Sequence, residues 1–119
     1  MKVIVRISKS FKRQAKPLLK KFASLSKELT QLEEDLIKNP QLGKSLGHGA
    51  YKIRLATESK GKGKSGGLRI ISHVCPEIIG VIEKDGDVIF VTLIAIYDKS
   101  ETASISDKEL KNLINKIRV

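Results

Sequence analysis

Three cations stand at strand-like positions in this chain. Lys52 and Arg54 alternate with Ile53 and Leu55 in Tyr51-Lys52-Ile53-Arg54-Leu55-Ala56, and Arg69 lies within Leu68-Arg69-Ile70-Ile71. Alternation sends Lys52 and Arg54 to one face of their strand and the two apolar residues to the other. If the two segments pair, three cations crowd one sheet face, and an anion such as a phosphodiester relieves their mutual repulsion. The plainer reading is an exposed sheet face carrying ordinary basic residues. Tyr97 and Lys99, at the end of the last long strand, are placed to join the same rim.

Other constellations carry less. His48 and His73 are the two histidines that a metal-free acid–base pair would need. Their spacing gives no support for one: His48 lies in a Gly-rich turn and His73 on a strand. Two histidines without converging carboxylates make no metal site, and a single cysteine, Cys75, allows neither an intrachain disulfide nor a cysteine-based zinc site. No metal or other cofactor is expected. Gly63-Lys64-Ser65 has the ending of a phosphate-binding P-loop, but Glu58 replaces that motif's first glycine and Gly66-Gly67 leads into a strand. Nucleotide hydrolysis is excluded. No serine sits in a nucleophile elbow.

Several elements must position these side chains. Lys2 to Ile7 alternates, is rich in β-branched residues and reads as an opening strand. Phe11, Ala15, Leu18, Leu19 and Phe22 recur at helical spacing with Lys12, Arg13, Lys16, Lys20 and Lys21 on the other faces, a basic amphipathic helix in which Pro17 marks a kink or a boundary. Leu25, Leu29, Leu32 and Leu36 form a second helix after Ser24 as N-cap, stopped by Asn39-Pro40, with Glu33, Glu34 and Asp35 on a solvated outer face. Gln41 to Ala50 is turn-like. Strands follow over 51–56, 68–74, 78–84 and 87–97, the last two flanking the hairpin signal Asp85-Gly86, and Lys60 to Gly67 reads as a flexible basic loop. Ser106-Asp107-Lys108-Glu109 has capping-box form and opens a last helix whose stripe is Leu110, Leu113, Ile114 and Ile117. The order predicts an α+β fold: N-terminal strand, helical hairpin, antiparallel meander sheet and C-terminal helix, with the helices on one face of the sheet.

The chain has 119 residues, 40% of them hydrophobic, and 23 Lys plus Arg against 13 Asp plus Glu give a formal net charge of +10. Such a chain is expected to form one domain over residues 1–119 and is no disordered polyelectrolyte. The basic excess lies almost wholly in residues 1–60, which favours a polyanionic partner, nucleic acid before an anionic membrane surface. The opening alternation is no secretion signal, and the longest apolar run, Val88 to Tyr97, is about half the length of a spanning helix. A cytoplasmic location without a membrane partner is expected.

The Tyr51–Ala56 segment, Lys60-Gly61-Lys62-Gly63-Lys64-Ser65-Gly66-Gly67 with Arg69 beyond it, Ile96-Tyr97-Asp98-Lys99-Ser100-Glu101 and Ile105-Ser106-Asp107-Lys108-Glu109-Leu110, in this order and spacing, resemble the HigB-like branch of the RelE/ParE toxin superfamily. Ala15-Lys16-Pro17-Leu18-Leu19 and the Asn39-Pro40 stop add to the likeness, which covers nearly the whole chain. It implies a RelE-like fold and a toxin of a bacterial type II toxin–antitoxin pair, an endoribonuclease that cleaves translated mRNA in the ribosomal A site without metal. The family's basic strand positions fall on Lys52 and Arg54, its phosphate-stabilising arginine on Arg69 and its basic post-strand position on Lys99, with Tyr97 beside it. The best-known relatives also place a tyrosine in the C-terminal helix, and residues 102–117 contain none. In-line attack of a 2′-hydroxyl on the adjacent phosphate builds negative charge on equatorial oxygens, and fixed guanidinium and ammonium donors stabilise it. The implied partners are the 70S ribosome with its mRNA and a cognate antitoxin, expected to be a helix-turn-helix DNA-binding protein that covers the cationic surface. Lys12, Arg13, Lys16 and Lys20 on the helix and Lys60, Lys62 and Lys64 in the loop are then expected to grip RNA, with binding that weakens as salt rises.

Two further readings stand beside this one. A non-catalytic RNA- or ribosome-binding module would have to work with three Phe, two Tyr and no Trp, too few for an aromatic stacking platform. A ParE-like gyrase inhibitor shares the fold, but the cations Lys52, Arg54 and Arg69 argue for the RNase branch.

Overall fold

The computed structural model describes residues 2–58, 67–78, 87–100 and 105–117. Its elements are β1 (Lys2–Ile7), α1 (Lys9–Lys21), α2 (Leu25–Lys38), β2 (Lys44–Gly47), β3 (Ala50–Leu55), β4 (Leu68–Ile78), β5 (Asp87–Asp98) and α3 (Asp107–Ile117). The α+β order of strand, helical hairpin, meander and terminal helix is as expected. Among the described residues no helix is long and apolar enough to cross a membrane.

Local chemistry sets the helix ends. Ser8 turns β1 into α1: its hydroxyl oxygen accepts from the Phe11 N–H at 3.1 Å, while its own N–H donates to the Leu93 carbonyl at 3.0 Å. α1 continues through Pro17 and buries Phe11, Ala15 and Leu18. Ser24 precedes α2 without capping it through its side chain. Its hydroxyl instead donates to Glu28 Oε2 at 3.1 Å and lies 3.0 Å from Thr57 Oγ1, and the Glu28 carboxylate takes the Glu58 N–H at 2.8 Å, so this cluster ties α2 to the end of β3. Ser106 does cap α3, accepting from the Glu109 N–H at 3.1 Å and donating to its carboxylate.

The five strands form one sheet in the order β1-β5-β4-β3-β2. β2 to β5 are a consecutive antiparallel meander, whereas β1 lies parallel to β5, so the sheet is mixed. β2 occupies part of the stretch that reads as a turn in the sequence. It is a short, exposed edge strand with little apolar signal, and it reaches β3 through the turn 47–49, where His48 has φ 56° and Gly47 and Gly49 also have positive φ. β4 likewise runs unbroken from Leu68 to Ile78, beyond Val74 where the sequence ends that strand, and residues 79–84 of the next expected strand lie outside the described residues. Past His73 it has no strand partner on the β3 side among the described residues. The Val74 N–H points to that side, to the Gly49 carbonyl at 2.8 Å, so Pro76 two residues on gives up no ladder bond. The Asp85-Gly86 hairpin signal lies outside the described residues.

Helices cover both faces of the sheet, not one. Leu68, Ile70, Leu93 and Ile96 pack with α1 and α2, while Ala50, Ile71, Ile94 and Ala95 pack with Leu110 and Ile114 of α3. β4 and β5 are apolar on both sides and require two covers, a pattern of doubly buried strands. The neighbours Ile94 and Ala95 share the α3 side because β5 carries one extra residue where the register slips between Ile71 and Ser72.

Candidate active site

Register places the predicted residues in a row. Arg54 pairs with Arg69 across β3 and β4, and Arg69 pairs with Tyr97 across β4 and β5. Ala50, two pairs before Arg54 on β3, and Ile71, two residues after Arg69, both pack under α3, so the row lies on the α3 side of the sheet. Lys52 sits on the same side, diagonal to Arg69 at about 7–8 Å between Cα positions. The register therefore places Lys52, Arg54, Arg69 and Tyr97 on one face of the sheet.

A fourth cation belongs with them. Lys44 of β2 pairs directly with Lys52 and so shares its face. Nothing in the sequence marks it, because the strand that carries it has no alternating pattern.

The members of the row differ in exposure. Arg54 is exposed, Lys52 is half-buried, and Arg69 is buried at 6% exposure. The Arg69 guanidinium donates from Nη1 to the Leu68 carbonyl at 3.2 Å. Gly67 makes room beside it: a Cβ there would lie 3.7 Å from Nη1 and 3.1 Å from the Leu55 carbonyl oxygen, on a backbone with φ +65°. The Gly67 carbonyl accepts from the Lys99 N–H at 3.3 Å, which fixes the chain just beyond the row. Lys99 itself is exposed in the turn that follows β5, where Asp98 Oδ1 accepts from the Ser100 N–H and hydroxyl at 2.9 and 2.8 Å. Asp98 pairs with Leu68 and shares its face, on the side of α1 and α2, away from the cations.

Tyr97 is the unusual member. Its hydroxyl is buried and has no hydrogen-bond partner among the described residues. Burial raises its pKa above the ordinary 10.0, and the Arg69 charge opposes that rise. An orphaned buried phenol is costly and calls for an explanation, a ligand or ordered water among them. It borders a cavity of about 340 Å³ that Gln14, Glu109, Asn112 and Lys116 also line. The α3 contributions are not legible in the sequence as site residues, since there Glu109 reads as half of a capping box.

The other expected contacts do not join the row. Lys12, Arg13, Lys16 and Lys20 are exposed on α1, which packs on the opposite face of the sheet. Lys12 and Lys16 border a groove with β1 and α2, and Arg13 also reaches a second cavity between α1 and α3. Lys60, Lys62 and Lys64 lie outside the described residues, as does Gly63-Lys64-Ser65. His48 is exposed on its turn, whereas His73 is buried at 4% exposure. No protein-family model matches the chain, and no curated protein matches it.

Proposed function

We propose that the chain is the toxin of a bacterial toxin–antitoxin pair of the RelE/HigB type, a cytoplasmic, metal-independent endoribonuclease acting on mRNA in the ribosomal A site. The observation that carries this reading is the Arg54–Arg69–Tyr97 row, in which a held guanidinium stands on one face between an exposed arginine and a phenol hydroxyl without a partner among the described residues. The cations bind a phosphodiester, with Arg69 as the main clamp and Lys52 and Arg54 on its flank. The substrate's 2′-oxygen attacks phosphorus, the bond to the 5′-oxygen breaks, and a 2′,3′-cyclic phosphate and a 5′-hydroxyl result. Tyr97 is protonated at neutral pH and serves as donor, to the phosphate or to the departing 5′-oxygen, and not as base. Glu109, the carboxylate on the Tyr97 cavity, is the candidate acceptor of the 2′-hydroxyl proton.

The silencing partner would be an antitoxin segment with apolar anchors and acidic flanks. What supports it is the groove of about 900 Å³ beside edge strand β1, where Ile7 and Leu19 are 49% and 40% exposed and Lys12 and Lys16 form a basic rim.

The test is induced expression of the chain and of Arg69→Ala, read by mRNA cleavage mapping and toeprinting on translating ribosomes. Codon-linked cuts that disappear in Arg69→Ala are the expected result. A-site occupancy without cuts makes the protein a non-catalytic ribosome binder, and gyrase-dependent DNA breaks make it a ParE-like poison.

A further inference from the structure

A second cavity, of about 650 Å³, opens between the end of β1, the start of α1 and the last turns of α3. Four cations line it, Arg6, Lys9, Arg13 and Lys116, and among the described residues no carboxylate does. Among the described residues none of the four is ion-paired. Arg6 is held in place: its Nε–H donates to Thr92 Oγ1 at 3.0 Å, and its guanidinium lies 4.3 Å from the Phe90 ring centroid. Its terminal amino groups remain for a ligand. Ser10, also on the cavity wall, is more than nine-tenths buried at 8% exposure, and its hydroxyl makes no hydrogen bond among the described residues. The first turn of α1 carries no acidic residue, so beyond the Ser8 cap nothing negative offsets the positive end of the helix dipole at the same place.

Four like charges gathered beside a hydroxyl that makes no other bond among the described residues favour an anion there. Position decides which one. Leu113 and Lys116 line both this cavity and the one at Tyr97, so the two are neighbours along the seam between α1 and α3. Along β5 from Thr92 to Tyr97 the separation is roughly 17 Å. A free phosphate needs no such seam, whereas an extended RNA backbone follows it.

We propose that this cavity is a second phosphate site, which holds a backbone phosphodiester of single-stranded RNA whose chain continues along the seam toward Tyr97. The site does not rest on the cleavage reading, and Arg69→Ala must leave it intact.

The experiment measures binding of a short dye-labelled single-stranded RNA to the full chain by fluorescence anisotropy across a range of KCl. Lys9→Ala/Lys116→Ala, both at exposed positions, is expected to weaken binding about tenfold at low salt. The slope of log affinity against log salt should become shallower by about 0.7, as expected when one phosphate fewer is neutralised on a single strand. Lys9→Arg/Lys116→Arg should restore both values, and Lys27→Ala/Lys38→Ala, which removes equal charge from α2, should leave the slope unchanged. In an NMR titration, RNA and inorganic phosphate should both move the Ser10 amide resonance, and RNA should displace the phosphate. An unchanged slope in Lys9→Ala/Lys116→Ala, or a Ser10 amide that RNA does not move, overturns the proposal. Saturation by inorganic phosphate that RNA cannot displace makes this a small-anion site and overturns it as well.

Discussion

Arg69 and Tyr97 are paired neighbours with opposite needs. The guanidinium is held by a carbonyl, so it acts as a fixed donor in planar fork geometry that a mobile ammonium does not reproduce. Arg69→Ala should lower the cleavage rate by about 10²–10³ in single-turnover assays on programmed ribosomes, and Arg69→Lys should recover only part of it. Tyr97 separates stability from function. Its enclosed hydroxyl lacks a partner among the described residues, so Tyr97→Phe should raise unfolding free energy by about 1 kcal/mol in urea titrations while slowing cleavage. A merely structural tyrosine would move neither the rate nor the pH profile. Because its native pKa is raised above 10.0, the folded chain holds this proton more tightly than the unfolded chain does. That contribution is intact below 10.0 and declines as pH rises through the native value, and Tyr97→Phe should abolish this alkaline decline.

At the level of elements, β5 organises the molecule, and its needs are only half legible in the sequence. Its apolar run marks a buried strand, but the single polar interruption at Thr92 gives no reason to choose one covered face over two. Nor does the sequence convey that β1 pairs with β5 only as far as Ile7 opposite Leu93, leaving the rest of that edge without a strand partner among the described residues. Pairing partners distant in sequence leave no local signature, whereas the stripes of α1, α2 and α3 are local and therefore readable. That stretch of edge is met by α1: the Gln14 side-chain carbonyl accepts from the Ile96 N–H at 3.0 Å, one residue before Tyr97. Gln14→Ala should therefore cost about 1 kcal/mol in thermal or urea unfolding, and Gln14→Glu, which keeps the acceptor, should cost less. The same locality explains the site. Lys52 and Arg54 share a face by alternation within one strand, and pairing Arg69 opposite Arg54 requires only that β3 and β4 be neighbours. Lys44 and the α3 residues at the Tyr97 cavity depend on a weak edge strand and on which face α3 covers.

For the whole molecule, the basic side chains of the described residues fall on two sides of the sheet. The Arg54–Arg69–Tyr97 row lies with α3, while Lys12, Lys16 and Lys20 lie on α1 across the sheet. One short RNA segment cannot neutralise both at once unless it wraps the edge of β5 beyond Leu93. The geometry therefore favours a division in which one face takes the scissile strand and the other takes RNA that is bound without being cut. Such a division has a kinetic signature, since interactions made equally in ground and transition states alter association alone. Lys16→Glu/Lys20→Glu should weaken co-sedimentation with 70S ribosomes and make its salt dependence shallower by about 0.7–0.9 for each phosphate no longer neutralised, while cleavage at saturating ribosomes stays near wild type. Arg69→Ala should show the reverse, with association retained and the cleavage rate lowered by about 10²–10³. If the α1 substitutions instead lowered the saturated cleavage rate as much as Arg69→Ala does, the two faces would not be functionally separate, and the helix would have to be placed in the catalytic site itself.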